Sequence, residues 1–424
     1  MCQQPRLWLW AVGAALGLAL TTATASAQQP KGEPIKIGFG MALTGAFAAN
    51  ARMALLGMEM WAEDTNAKGG LLGRPVKLIY YDDQSNPSIV PGIYAKLLDV
   101  DKVDFVVSGY ATNMTVPAIP LVMQRHLVFL GLAALDGNAH FNYENYFAMA
   151  PFGPHPKAAF SEGFFDIVNA EKEKLGLKTI ALTNLDVEGT RNAMDGARIN
   201  LKSTGLKVVY DRSYPPSTVD FTPIIRSIQA SNPDVVFFAS YPVDTIGIVH
   251  SLHELGMNAK IVGGCLIGLQ ATSTKMQLGP EMNGLLTYEY WLPVRNLLGP
   301  GVPEFLKRYR ERAPAAGVDV LGYYLGPWGY ADLQVLGDAI AGSESLNQQK
   351  VADYIRSHTF KTLIGDITFG TKGEWKTQRV FWTQFQNVKG HDLDQFIDAK
   401  TEVILSPTQY KSGEFVAPYS SIKH

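Results

Sequence analysis

Catalysis needs particular side chains at particular spacings, and this sequence offers few of them. His250 and His253 stand three apart on a predicted helix, a spacing that turns both imidazoles to one face and could share a metal ion. A zinc site requires three or four ligands, and no convergent third is evident, so the pair reads as an ordinary helix face. Cys265 ends the apolar run Ile261-Val262-Gly263-Gly264. With a distant histidine it could imitate a nucleophile pair, but a lone cysteine on an apolar strand is far more often core. Gly38-Phe39-Gly40 is followed by Met41-Ala42-Leu43, which breaks the Gly-x-Gly-x-x-Gly dinucleotide fingerprint. There is no HExxH, no GxSxG elbow and no P-loop lysine motif. The expectation is a protein that is not an enzyme and holds neither metal nor cofactor.

Bulk properties point away from several partners. The chain has 424 residues and a formal net charge of −2, with no Lys/Arg cluster that could face phosphates. A nucleic-acid partner is therefore not expected. Arg6, the apolar run 7–20 and Ala25-Ser26-Ala27 form an export signal with a small-residue cleavage site. Its ~14 apolar residues fall short of the ~20 that span a bilayer, and nothing after residue 27 approaches a span. Cleavage after Ala27 would leave a periplasmic protein with no direct membrane insertion. Cys2 departs with the signal, so Cys265 has no partner for an internal disulfide. The remaining chain exceeds the ~250–300 residues at which single cores stop growing, so two domains are expected.

The elements that must position any site alternate regularly. Strand patterns at 35–39, 76–81, 105–108, 128–130 and 146–150 enclose helix patterns at 51–66, 88–98 and from about 117. The rhythm restarts after Pro154: strands at 179–183, 208–210, 235–238 and 261–264, helices at 191–203, 221–230 and 245–255. Helices near 303–312 and 330–341 precede strands at 367–369 and 380–387, so the chain is expected to cross back between lobes. Such alternation means βαβ units and parallel sheets. In open sheets of this kind, ligands bind outside the carboxyl ends of the strands. The corresponding loops, 41–50, 109–115, 131–136, 186–189, 241–244 and 265–269, are rich in Gly, Ala, Thr and Asn. Those residues let backbone N–H groups approach a small polar or anionic ligand.

Several of these stretches carry a resemblance. Residues 37–45, Asn66-Ala67-Lys68-Gly69-Gly70-Leu71-Leu72-Gly73-Arg74-Pro75-Val76 and Asp82-Asp83-Gln84-Ser85-Asn86-Pro87 resemble the periplasmic substrate-binding proteins of branched-chain amino-acid ABC importers, leucine-binding protein among them. So do Asp220-Phe221-Thr222-Pro223-Ile224-Ile225 and Asn232-Pro233-Asp234-Val235-Val236-Phe237. The resemblance implies an α/β chain of the type I periplasmic-binding-protein fold, with two doubly wound parallel-sheet lobes joined by a three-stranded hinge. Residues 33–150 with 287–377 would form lobe 1, and 151–286 with 378–424 lobe 2. It further implies a small-molecule ligand, hinge closure, a permease and ATPase as partners, and a monomer. A periplasmic sensor presenting the same fold to a receptor is the alternative.

Site residues follow from the resemblance position by position. Phe47, Tyr110, Thr112, Asn113, Ala133 and Ala134 would hold the ligand from lobe 1, with Asp186, Tyr241 and Leu266 from lobe 2. Two positions depart from the family pattern. Leu135 stands where a threonine is expected, and no acid lies near 265–267 to pair with a ligand ammonium. A buried ammonium without a carboxylate costs several kcal/mol, so an α-amino acid needs Asp186, Glu188 or Asp244 as substitute. Phe47, Tyr110, Phe152, Tyr241, Tyr290 and Trp291 would suit a hydrophobic or aromatic carboxylate, or an amide.

Overall fold

The computed structural model describes residues 1–2, 30–294 and 297–423. The expected export signal, apart from Met1 and Cys2, lies outside the described residues. The first sheet contains β1 (Ile35–Met41), β2 (Val76–Asp82), β3 (Phe105–Val107), β4 (Phe129–Gly131) and β5 (Tyr146–Ala148). Its order is β2-β1-β3-β4-β5 and every pairing is parallel. Helices α1 (Ala48–Ala67), α2 (Val90–Asp99), α3 (Thr112–Thr115) and α4 (Ile119–Gln124) connect these strands. Helix α1 ends where Gly69 and Gly70 take positive φ and Gly70 N–H reaches back to Thr65 O, 2.9 Å.

The second sheet begins with β6 (Thr179–Leu185), β7 (Lys207–Tyr214), β8 (Val235–Ser240), β9 (Ile261–Leu266) and β10 (Leu286–Glu289). Helices α5 (Pro156–Leu175), α6 (Glu188–Leu201), α7 (Thr222–Ala230), α8 (Pro242–Glu254) and α9 (Thr272–Leu278) accompany them. The chain then returns to the first lobe as α10 (Val302–Ala316), α11 (Gly326–Ser343) and α12 (Gln348–Ser357), with the hairpin β11 (Thr359–Thr362) and β12 (Gly365–Thr368). Finally β13 (Phe381–Phe385) and β14 (Glu402–Ser406) extend the second sheet, whose order is β14-β13-β10-β9-β8-β6-β7. The chain thus passes between the lobes three times, after β5, after β10 and after β12.

Three differences from the sequence reading have physical reasons. The lobe boundary expected after residue 286 falls inside β10, which keeps pairing with β13 as far as Glu289. The second sheet is not wholly parallel, because β13 and β14 join it antiparallel at one edge. Helix α5 has no counterpart in the periodicity; its buried side is carried by aromatic and small residues such as Phe160, Ser161, Gly163 and Phe164.

Close packing anchors the late helices to the first lobe. A Cβ on Gly57 would lie 2.0 Å from Gly326 O and one on Gly329 2.1 Å from Ala54 O, so α1 and α11 touch backbone to backbone. Arg308 meets Asp64 at 2.8 Å, and Gln348 bonds Val128 N and Asp104 O. The C-terminal segment wraps the second lobe: Tyr419 N–H donates to Lys260 O (2.8 Å) and Asn283 holds Lys423 O.

Candidate functional site

The loops at the carboxyl ends of the two sheets face one another. In the first lobe, the loop after β1 is held by the end of β2. Asp82 accepts hydrogen bonds from Leu43 N (2.9 Å), Thr44 N and the Thr44 hydroxyl. Partial burial works against its charge, but these bonds outweigh it and hold the carboxyl below its usual range. Ser85 Oγ donates to Thr44 O and accepts from Phe47 N, which sets Phe47 at the start of α1. The acidic turn after β2 therefore braces the loop that presents Phe47.

The next two loops carry strained backbone. Ala111 has φ 77° and ψ 153°, and Ala133 has φ 51°, conformations that a side chain makes costly. They set Thr112 and Leu135 together: Thr112 Oγ1 accepts Leu135 N–H at 2.9 Å and keeps its own proton for donation elsewhere. Tyr110 is buried, and its hydroxyl accepts from Asn50 Nδ2 at 3.1 Å.

From the second lobe comes Tyr241, whose ring lies 4.7 Å from that of Phe47. The Phe47 ring in turn stands edge-on to Tyr110 at 6.4 Å. Gly189 is a glycine for a reason: a Cβ there would lie 2.7 Å from the Tyr241 hydroxyl and 3.5 Å from Thr112 Oγ1. Asn113 Oδ1 accepts Gly189 N–H at 3.1 Å, and Asn192 Nδ2 donates to Leu135 O at 3.1 Å. Both bonds join one lobe to the other, so the lobes are closed on this site. Leu266 is wholly buried in register with Ser240, the residue before Tyr241.

Behind these residues lies a cluster of phenols that the sequence reading only partly anticipates. Tyr290 stacks on Tyr324 at 5.3 Å, Tyr324 is edge-on to Tyr110 at 6.4 Å, and the Tyr288 and Tyr324 hydroxyls are 2.7 Å apart. Phe152 packs on Tyr290 at 5.6 Å. Burial pushes Tyr241, Tyr288, Tyr290 and Tyr324 far above the usual phenol range, and does the same to the Cys265 thiol beside them. Every one of these groups stays protonated, so the site offers neutral donors. Tyr288 could have been found by its two-residue spacing from Tyr290, which follows directly on the end of β10; nothing local marks Tyr324, which the return of the chain to the first lobe delivers. Trp291 is buried away from this cluster against Tyr323.

The three candidate acids are placed otherwise than an ammonium partner requires. Asp186, expected among the ligand-holding residues, is exposed and ion-paired with Arg191 at 2.9 Å. A solvated carboxylate beside an arginine one turn on avoids the cost of burial without a partner. Glu188 is half-buried, and burial raises its carboxyl despite the nearby Arg191, His140 and Lys157. Asp244 is buried, and burial pushes it up to about 6 although it accepts bonds from the Tyr214 hydroxyl and from Tyr241 N, 2.9 Å. Its carboxylate is occupied by the protein itself. The histidine pair is likewise accounted for at His250, whose Nδ1 lies 2.7 Å from Glu281.

A cavity of about 470 Å³ opens beside the site, toward the hinge. Of the residues expected to hold ligand, Ala134 lines it, together with Phe152 from the first crossover.

Known proteins resemble the chain over nearly all of its described length. A family model described as "Periplasmic binding protein" matches residues 34–391. A protein of Pseudomonas aeruginosa named "Amino acid binding protein" is 26% identical over 345 residues, covering 81% of this chain and 87% of its own. The structure of an ABC transporter substrate-binding protein from Sphaerobacter thermophilus superposes with a TM-score of 0.71 at 19% identity, covering 84% of this chain and 95% of its own. An ABC transporter solute-binding protein from Rhodopseudomonas palustris, solved with 3,4-dihydroxybenzoic acid, gives 0.71 at 16% identity, covering 84% and 94%.

Proposed function

The chain belongs to the periplasmic binding protein family, and we propose that it is the extracytoplasmic solute-binding component of an ABC importer. It captures a small carboxylate with an apolar or aromatic body between its lobes and presents the closed form to a permease. Ligand free energy favours the closed form only as far as the ligand binds it better than the open one. Export follows cleavage after Ala27 and places the protein in the periplasm as a monomer.

The observation that carries the ligand class is the fate of Asp244. Among the described residues it is the buried acid next to Tyr241, and its two oxygens already accept from the Tyr214 hydroxyl and the Tyr241 backbone. An ammonium brought there would have to share a carboxylate whose charge burial disfavours, whereas a carboxylate meets the Thr112 hydroxyl and the phenols. Phe47, Tyr110, Thr112, Asn113, Ala133, Ala134, Tyr241 and Leu266 make up the proposed site. The ligand of the Rhodopseudomonas protein is of this class, while the Pseudomonas relative's name points to amino acids.

A thermal-shift series with benzoate, 3,4-dihydroxybenzoate and leucine tests the proposal. A ligand at a hundredfold excess over its Kd stabilises the fold by about 2.7 kcal/mol, a readable shift. Stabilisation by an aromatic carboxylate but not leucine is expected. A shift with leucine alone would overturn the ligand class and return Glu188 to the ammonium role.

A further inference from the structure

The cavity beside the cleft lies between the edge strand β5, the loop 134–144 and the loop 371–375. Ala134, Ala148, Ala150, Phe152 and Trp375 supply its apolar wall. The cavity is partly open to solvent, with Asn142, Glu144 and Lys372 exposed at its rim and the small residues Ala148 and Ala150 on its floor where β5 runs out to the hinge. The loop above is pinned in place, since Ala148 N–H donates to Gly373 O at 2.7 Å. Two residues of the wall are 2% and 3% exposed, Tyr146 and Trp375. The Tyr146 hydroxyl and the Trp375 indole N–H are buried and lack a hydrogen-bond partner within the protein. Buried donors are almost always satisfied, and an unmade bond of this kind calls for an acceptor.

We infer that this cavity is the second compartment of the binding site, taking the tail of a ligand whose carboxylate head sits in the cleft, and that the tail carries a neutral oxygen acceptor such as an ester or amide carbonyl. The inference rests on the carboxylate reading above. The two compartments adjoin: Ala134 lies in the cleft loop and lines the cavity, and Phe152 packs on Tyr290 of the phenol cluster. Charge at the wall selects a neutral tail. Asp136, Glu144 and Glu374 face the space against Lys372, and a second carboxylate would be repelled. Two further cations lie outside the lining: Lys157 pairs with Asp136 at 3.7 Å, and Arg379 lies over the Trp375 ring at 5.1 Å.

Calorimetric titration of the mature protein with benzoate and with monomethyl terephthalate separates the two readings. The second probe is a benzoate with an ester carbonyl at the far end. The wild type is expected to bind the ester about tenfold more tightly than benzoate, the worth of one well-made buried hydrogen bond. Tyr146→Phe should remove most of that advantage while leaving benzoate unchanged. Its ring stays and the lost hydroxyl bonds nothing in the protein, so the fold is not at stake. Ala148→Leu, which fills the cavity, should remove the advantage independently. An ester that gains nothing over benzoate, or a gain that survives both variants, overturns the second compartment and leaves the cleft reading standing. If Tyr241→Ala changes neither ligand's affinity, the head is not in the cleft and both readings fall. Failure of the wild type to bind either probe also ends both.

Discussion

At the scale of single residues, the site is decided by which polar groups remain free. Tyr241 presents its ring to Phe47 and its hydroxyl toward Gly189 and Thr112. Tyr241→Ala is expected to weaken ligand binding by about tenfold or more, because a buried ring and a donor are lost together. Titration of the variant, shown by its cooperative thermal unfolding to be folded, checks it. Asp244 makes a second prediction, with pH. Burial raises its folded pKa to about 6, above the ordinary carboxylate value, so the folded state holds the proton more tightly than the unfolded chain. Its contribution is therefore full at low pH and declines as pH rises from about 4 to about 6. Asp83 and Asp338, also raised to about 6 by burial, add to the same slope. Urea midpoints of ligand-free Asp244→Asn should fall less between pH 4 and 6 than those of the wild type. Parallel curves would mean that Asp244 does not titrate in this window.

Among elements, the C-terminal strand is tied to the second lobe by charge as well as by pairing. Lys275 on α9 bonds Glu402 on β14 and lies 3.6 Å from Glu289 on β10, all three buried. One cation faces two carboxyls, and burial raises Glu289 so that it holds its proton. Removing the cation leaves the buried Glu402 carboxyl beside Glu289 without its partner. Lys275→Met should cost about 3–5 kcal/mol, read from the denaturant midpoint. A loss below 1 kcal/mol would show that water reaches the triad. The segment after residue 392 thus belongs to the fold and not to a loose tail, since Gln384 also bonds Val416 O at 2.8 Å.

For the whole molecule, function depends on lobes that can part and close. Asn192 belongs to α6 of the second lobe and reaches Leu135 O of the first. Parting of the lobes would break that bond, and the proposed ligand does not need it. A hydrogen bond of this kind is worth about 0.5–1.5 kcal/mol net. Asn192→Ala should therefore weaken ligand affinity about two- to tenfold without touching the ligand. Small-angle scattering of the ligand-free variant should show a larger radius of gyration than the wild type under the same conditions. An unchanged affinity would mean that closure does not use this bond.

The sequence by itself determined the alternation of strands and helices, the loops that face the ligand and the parts of the family pattern that are missing. These are local properties: a buried parallel strand is an unbroken apolar run, and a strand-end loop follows it by a few residues. For that reason Phe47, Tyr110, Thr112, Asn113 and Tyr241 could be placed on strand-end loops, where the resemblance makes them candidates. Tertiary structure alone decided the rest. Tyr324 reaches the site only because α11 returns to the first lobe, and Asp244 is withdrawn by Tyr214, thirty positions earlier in the chain. Asp186 looks like a site acid in one dimension, yet its side chain turns to solvent and Arg191. The cavity behind Ala134 is bounded by segments more than 200 residues apart, 134–156 and 371–375. Whether a polar group is free or spent depends on what lies beside it in space, and no periodicity along a chain encodes that.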